Sequence, residues 1–152
     1  MTPQNEPITG FAPTHRINTM GFTAEMERDF IRTGLGPALE RGGWGPNNFT
    51  IMIFGHDRGW LPQWADVILN DTLAAKYIDG VAVHWYGPRE GAAEKLGITH
   101  DRHPNYFILA TEACAADWSK GPEESFIVQL EIWTRLRRRH HQRFDLLGKR
   151  MG

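Results

Sequence analysis

Three short apolar runs, Phe49 to Phe54, Val81 to Tyr86 and Tyr106 to Ala110, stand out from a polar background. Each is rich in β-branched or aromatic residues and lacks polar alternation, the pattern of strands buried on both faces. Between and around them, apolar positions repeat at helical spacing. Met26, Phe30 and Ile31 share one face of a segment from about Thr23 to Glu40, which Gly34, Gly36 and Pro37 are expected to break. Leu61, Trp64, Ala65, Ile68 and Leu69 form a cleaner stripe, and a shorter helix is predicted over Glu90 to Leu96. A last helix is expected to open at Gly121-Pro122-Glu123-Glu124, with proline at the first helical position and acids facing the positive helix end. Helices alternating with buried strands predict an α/β fold, a parallel sheet covered by helices.

The polar residues fall at one place in that pattern. Gly55-His56-Asp57-Arg58 follows the first run, His84-Trp85-Tyr86 closes the second, and Thr111-Glu112 closes the third. Asn5-Glu6 precedes the first helix, where the end of an earlier strand would sit. The carboxyl ends of strands hold the active sites of parallel α/β folds, (β/α)₈ barrels above all. Glu6 and Glu112 are then the natural pair for glycoside hydrolysis. That reaction needs one carboxyl group to protonate the leaving oxygen and a second to attack the anomeric carbon. Taken singly, each glutamate reads sooner as a surface carboxylate or a helix cap, and His84 as a hydrogen-bonded core histidine. His100 and His103 are neighbours, but no cysteine or acid cluster completes a set around them, so no metal is expected. No nucleophile-elbow serine motif occurs, and Gly34-Gly36 and Gly42-Gly43 lack the spacing of a phosphate cradle. No cofactor is expected.

Composition narrows the picture only a little. A chain of 152 residues, 41% hydrophobic and 23% charged, can build one domain with a real core. Six tryptophans fit sugar stacking or simply a large core. The net charge of −1 supplies no global pull toward nucleic acid or membrane, but it is unevenly spread. Residues 131–152 carry +5 and the rest −6, which divides the chain into a main domain, 1–130, and a basic C-terminal helix or tail. The run Arg135, Arg137, Arg138, Arg139, His140, His141, Arg143 reads as a solvated helix face; without aromatic interleaving, no nucleic acid partner is expected. No apolar run approaches the length of a membrane span. The opening residues have neither a charged start nor an apolar stretch and are not expected to be a signal peptide. Cys114 has no internal disulfide partner, and the triplets at Asn48 and Asn70 fit the N-glycosylation pattern, of use only in a secretory protein.

An ordered set of motifs carries more weight. Asn5-Glu6-Pro7, Gly21-Phe22-Thr23, Arg28-Asp29-Phe30-Ile31, Leu35-Gly36-Pro37, Leu61-Pro62-Gln63-Trp64, Ala74-Ala75-Lys76-Tyr77, Val83-His84-Trp85-Tyr86 and Glu112-Ala113-Cys114 occur in this sequence in that order. Over roughly residues 4 to 118 the chain thereby resembles the glucosylceramidases (acid β-glucosidases) of glycoside hydrolase family 30. The resemblance implies a partial (β/α)₈ TIM barrel, from about the end of strand 4 to helix 7, without the remaining strands and the β-sandwich domain of that family. It implies that Glu6 is the general acid/base, that Glu112 is the nucleophile, and that Asn5 bonds the sugar 2-hydroxyl. His84 and Tyr86 would line the sugar subsite, with Trp85 in packing. Arg58 keeps its place, whereas Asp57 stands where glutamine is usual and is a candidate substrate contact. His15 and Ile17 stand where the family has aromatic residues.

The implied substrate is glucosylceramide or another β-glucoside, cleaved with retention, which puts the two carboxyl groups about 5 to 5.5 Å apart. Implied partners are the missing barrel half or an activator protein, and the implied compartment is lysosomal or secreted. The alternative is a non-catalytic remnant that binds carbohydrate or another protein.

Overall fold

The computed structural model describes residues 1–14, 18–46, 48–86 and 91–113, within a compact unit formed by residues 1–113. The three apolar runs do become strands, each ending further along the chain or starting elsewhere than expected. These are β1 (Met52–Asp57), β2 (Gly80–His84) and β3 (Phe107–Glu112). They pair in parallel in the order β1-β2-β3. The polar residues Gly55, His56, Asp57, Thr111 and Glu112 are thus the last residues of the strands themselves rather than of the loops beyond them. The segment Met1 to Glu6 runs beside β1, where the Met52 N–H donates to Met1 O at 2.8 Å and the Glu6 N–H to Gly55 O at 2.9 Å.

Each parallel pairing contains one irregularity. Phe54 pairs with Ala82 and His56 with Val83, so Gly55 is the extra residue of a bulge in β1. Val83 pairs with Ala110 and His84 with Glu112, so Thr111 is extra in β3. A bulge re-aims the residues that follow it by one position. As a result Asp57, His84 and Glu112 stand in one row across the carboxyl rim of the sheet.

The first helical segment departs from expectation in two ways. It is not broken: α1 (Ala24–Phe30) passes through a π turn (Ile31–Leu35) into α2 (Gly36–Arg41). The Gly36 N–H reaches back to Ile31 O, five residues away, just before Pro37, which has no N–H to give. The wider turn absorbs the missing donor that would otherwise end the helix. Of its expected core face, only Ile31 is buried. Met26 and Phe30 are exposed, whereas Ala24, Glu27 and Ile31 are buried. Thr23 caps α1 by accepting the Met26 N–H at 3.2 Å.

The second stripe holds. Leu61, Trp64, Ala65, Ile68 and Leu69 are all buried around α3 (Gln63–Leu69). A short α4 (Thr72–Ala75) follows, capped by Asp71, whose carboxylate accepts the Leu73 and Ala74 N–H groups. The helix expected over Glu90 to Leu96 is α5 (Ala92–Arg102), one to two turns longer at its C-terminal end. These helices share one apolar core with Ile51, Ile53, Phe54, Val81 and Val83 of the inner strands.

β3 does not match a strand buried on both faces. Phe107 is 45% and Leu109 49% exposed. Among the described strands it pairs on one side only, and Phe107 and Leu109, two residues apart, share its exposed face. No described helix is long and apolar enough to cross a membrane. The helix expected from Gly121, Cys114, the basic tail 131–152, Glu90, and His15 with Ile17 lie outside the described residues.

Candidate active site

The centre of the site is His84, the last residue of β2, which is buried. Its Nδ1 lies 2.9 Å from Glu6 Oε1 and its Nε2 lies 3.9 Å from Glu112 Oε2. Two glutamates from distant parts of the sequence therefore converge on opposite nitrogens of one ring. One oxygen from each carboxylate and one ring nitrogen all lie within 4.8 Å of one another. Such a set of donor atoms is also of a kind that can ligate a cation, and it went unnoticed in the sequence, where attention fell on His100 and His103. His103 is engaged elsewhere, 2.8 Å from Asp66 Oδ1.

Local backbone explains how Glu6 reaches the ring. Glu6 has φ 45°, in the left-handed region, and directly precedes the 3₁₀ turn Pro7–Phe11. Its carbonyl accepts the Thr9 N–H at 2.9 Å and the Thr9 hydroxyl at 2.6 Å, while its own N–H is held by Gly55 O. Asn5, the neighbouring candidate, is exposed. Tyr86 lies beyond the end of β2 and packs edge-on against the His84 ring at 6.1 Å.

Asp57 sits on the row beside His84. Burial, reinforced by the nearby Glu6 carboxylate, raises its carboxyl above the usual range, against the pull of His84 and Arg58 and a hydrogen bond from the Tyr86 backbone. His56 is a residue the sequence reading did not single out. It is buried, and burial holds its imidazole below the ordinary histidine value, with Glu6 opposing and His84 assisting. Its Nδ1 accepts the Asp57 N–H at 2.6 Å, so the neutral ring carries its proton on Nε2. Among the described residues, His56 Nε2, Asp57 Oδ1 and Arg58 Nε are buried without a hydrogen-bond partner. Three consecutive residues thus each keep one buried polar atom unpaired, while Arg58 Nη2 donates to Trp85 O at 3.0 Å.

A second unforeseen residue lies behind β1. Glu27 of α1 is fully buried, accepting the Phe54 N–H at 3.1 Å on Oε1 and the Trp64 indole N–H at 2.6 Å on Oε2. Burial raises its carboxyl to about 7, against the lowering effect of those two hydrogen bonds. Its spacing from Ala24 and Ile31 was the available signal, a polar residue in register with buried apolar ones.

The family model of the glycosyl hydrolase family 30 TIM-barrel domain matches residues 1–150. The chain belongs to glycosyl hydrolase family 30. Its three parallel strands with intervening helices are accordingly a portion of that family's barrel. It is 49% identical over 117 residues to the Caenorhabditis elegans protein named "Putative glucosylceramidase 4", covering 76% of this chain and 22% of that one. It is 40% identical over 136 residues to the lysosomal acid glucosylceramidase of Mus musculus, covering 89% and 25%. Among solved structures it is similar to an endo-β1,6-glucanase, with a TM-score of 0.64 and 30% identity over 82% of this chain and 26% of that one. SrfJ from Salmonella typhimurium gives a TM-score of 0.65 and 27% identity, over 80% and 25%. The chain spans about a quarter of the length of the relatives it matches.

Proposed function

We propose that this chain carries both working carboxylates of a retaining β-glycosidase, acting on the β-glucosyl linkage of glucosylceramide or a related glucoside. The observation that supports this reading most is the approach of Glu6 and Glu112 oxygens to within 4.8 Å of each other around His84. Retaining glycosidases need carboxyl groups about 5 to 5.5 Å apart, too close for the water that inversion places between them.

In this reading Glu112 attacks the anomeric carbon while Glu6 delivers its proton to the departing glycosidic oxygen. The carbon–oxygen bond to the aglycone breaks and a glycosyl ester forms on Glu112. Glu6, now a carboxylate, removes a proton from water, which attacks the same carbon and releases Glu112. His84 keeps Glu6 oriented through both steps. The unpaired donor and acceptor atoms of His56, Asp57 and Arg58 suit sugar hydroxyls, each of which both donates and accepts. Asn5 and Tyr86 complete the proposed sugar contacts. The names of the worm and mouse relatives favour glucosylceramide as substrate, and the mouse name an acidic, lysosomal setting. An activator protein that presents the lipid fits the same setting.

The exposed face of β3 favours a second reading, in which the chain alone binds sugar and turns it over only when other barrel strands cover that edge. One experiment addresses both. The chain is incubated with a fluorogenic β-glucoside and with a 2-fluoro glucoside that traps the ester, alone and with the complementary barrel segments of a relative. Glu112-dependent turnover and a glycosyl adduct mapping to Glu112 are expected. Turnover that survives Glu112→Gln, or an adduct elsewhere, refutes the assignment. Sugar affinity by the chain alone, with the Glu112 adduct formed only in the complemented condition, supports the second reading; no adduct in either condition refutes both.

A further inference from the structure

β1 contains two consecutive residues in the left-handed region, Phe54 at φ 81° and Gly55 at φ 52°. Glycine adopts such angles freely, but a bulky residue like phenylalanine does so only when its surroundings hold it there. The holder is Glu27, whose Oε1 accepts the Phe54 N–H. That N–H lies at the bulge, and the next residue, Gly55, uses its carbonyl to fix the Glu6 N–H. Glu6, itself left-handed at φ 45°, then meets His84.

We propose that Glu27 is a positioning residue for Glu6, holding by its buried carboxyl group the Phe54–Gly55 bulge that anchors the Glu6 backbone. Only its consequence for catalysis rests on the acid/base reading of Glu6. The alternative for Glu27, a purely structural tie between α1 and α3, is answered by its two oxygens. Oε2 makes that tie through Trp64, while Oε1 is given to the strand backbone at its strained point. A carboxyl group suits the place because both neighbours are donors and its two oxygens, set apart, can each accept from one of them. Burying it is costly, and the cost is offset by the two buried donors it satisfies, one of which is the backbone N–H at the bulge.

Amide hydrogen exchange of the full chain tests this without requiring turnover. The Glu6 N–H is the reporter, and the Asp79 N–H, bonded to Ile51 O at 2.9 Å at the other end of β1, is the control. Glu27→Leu is expected to lower Glu6 protection by about tenfold more than Asp79 protection, the mark of local rather than global opening. Trp64→Phe, which frees Oε2 but leaves the Oε1 bond, is expected to lower both alike. Should Glu27→Leu fail to fold, Glu27→Gln decides: one acceptor shared between two donors gives a smaller loss with the same selectivity for Glu6. Equal loss at Glu6 and Asp79 in the Glu27 variants, or selective loss at Glu6 in Trp64→Phe, overturns the proposal. Trapping of the Glu112 ester is scored separately. A chain that never forms the adduct but shows the selective exchange pattern refutes the hydrolase reading and leaves the positioning role standing.

Discussion

The two carboxylates of the site are held in very different ways. The Glu6 side chain is 21% exposed, and its residue is bonded through its N–H to β1, through its carbonyl to Thr9 and through its carboxylate to His84. The Glu112 side chain is 39% exposed at the end of a strand whose Phe107 and Leu109 are exposed, and its Oε2 lies 3.9 Å from His84 Nε2. One half of the rim is therefore locked by this unit's own core. The other half is held by the pairing of β3 with β2, which the Trp85 N–H extends by donating to Glu112 O at 3.3 Å. Nearness of the two groups is decided by sheet register, but firmness is decided by what packs behind each strand.

Function and stability should separate along that division. The largest effect is expected from Glu112→Gln, which in the proposed mechanism removes the nucleophile and lowers glycoside turnover by roughly a thousandfold or more. Because the side chain is partly exposed on the outer strand, the urea midpoint should scarcely move. Phe54→Ala on the locked side should instead cost about 3–5 kcal/mol in urea unfolding, the range for a fully buried phenylalanine. Phe107→Ala on the open side should cost about 1 kcal/mol or less, and equal costs would abolish the distinction between the two halves.

Glu27 gives the locked half a pH dependence. Its folded carboxyl is raised to about 7 from an ordinary 4.5, so the folded state holds the proton more tightly than the unfolded state does. Its contribution is complete below about 4.5 and is lost as pH rises through 7, a decline of roughly 3 kcal/mol by alkaline pH. No charged side chain contributes to that shift; the groups facing it are the Phe54 N–H from β1 and the Trp64 indole from α3. Urea unfolding between pH 5 and 8.5 should show the decline in the native chain, and Glu27→Gln should flatten it. A smaller effect is expected at Asp71, remote from the site. Asp71→Ala removes a cap of two N–H groups and the ion pair with Arg32 at 3.0 Å, and should cost about 1 kcal/mol in the same assay.

Much of the fold was legible. The α3 stripe from Leu61 to Leu69 became a buried helix because apolar residues recur there at every third or fourth position. The same rule misled at α1, where Met26 and Phe30 looked like the core face. There the strand behind the helix needed a carboxyl group at its bulge, and Glu27 rather than Met26 turned inward. The apolar run of β3 was read as doubly buried since the pattern records what could cover a strand, not whether the cover is present. His56 was visible only as part of a polar cluster, because burial beside Glu6 arises from the β1 bulge and leaves no periodic trace.

By itself the amino-acid sequence determined the alternation of helix and strand, the parallel sheet, and the convergence of Glu6, His84 and Glu112 on one rim, since apolar periodicity and strand-end position are local properties. Only the tertiary structure decided which residues face each other along that rim. One extra residue at Gly55 and one at Thr111 move Asp57 and Glu112 opposite His84. Those bulges exist through bonds between distant segments, such as Glu27 to Phe54 and Gly55 to Glu6, whose partners no local pattern specifies.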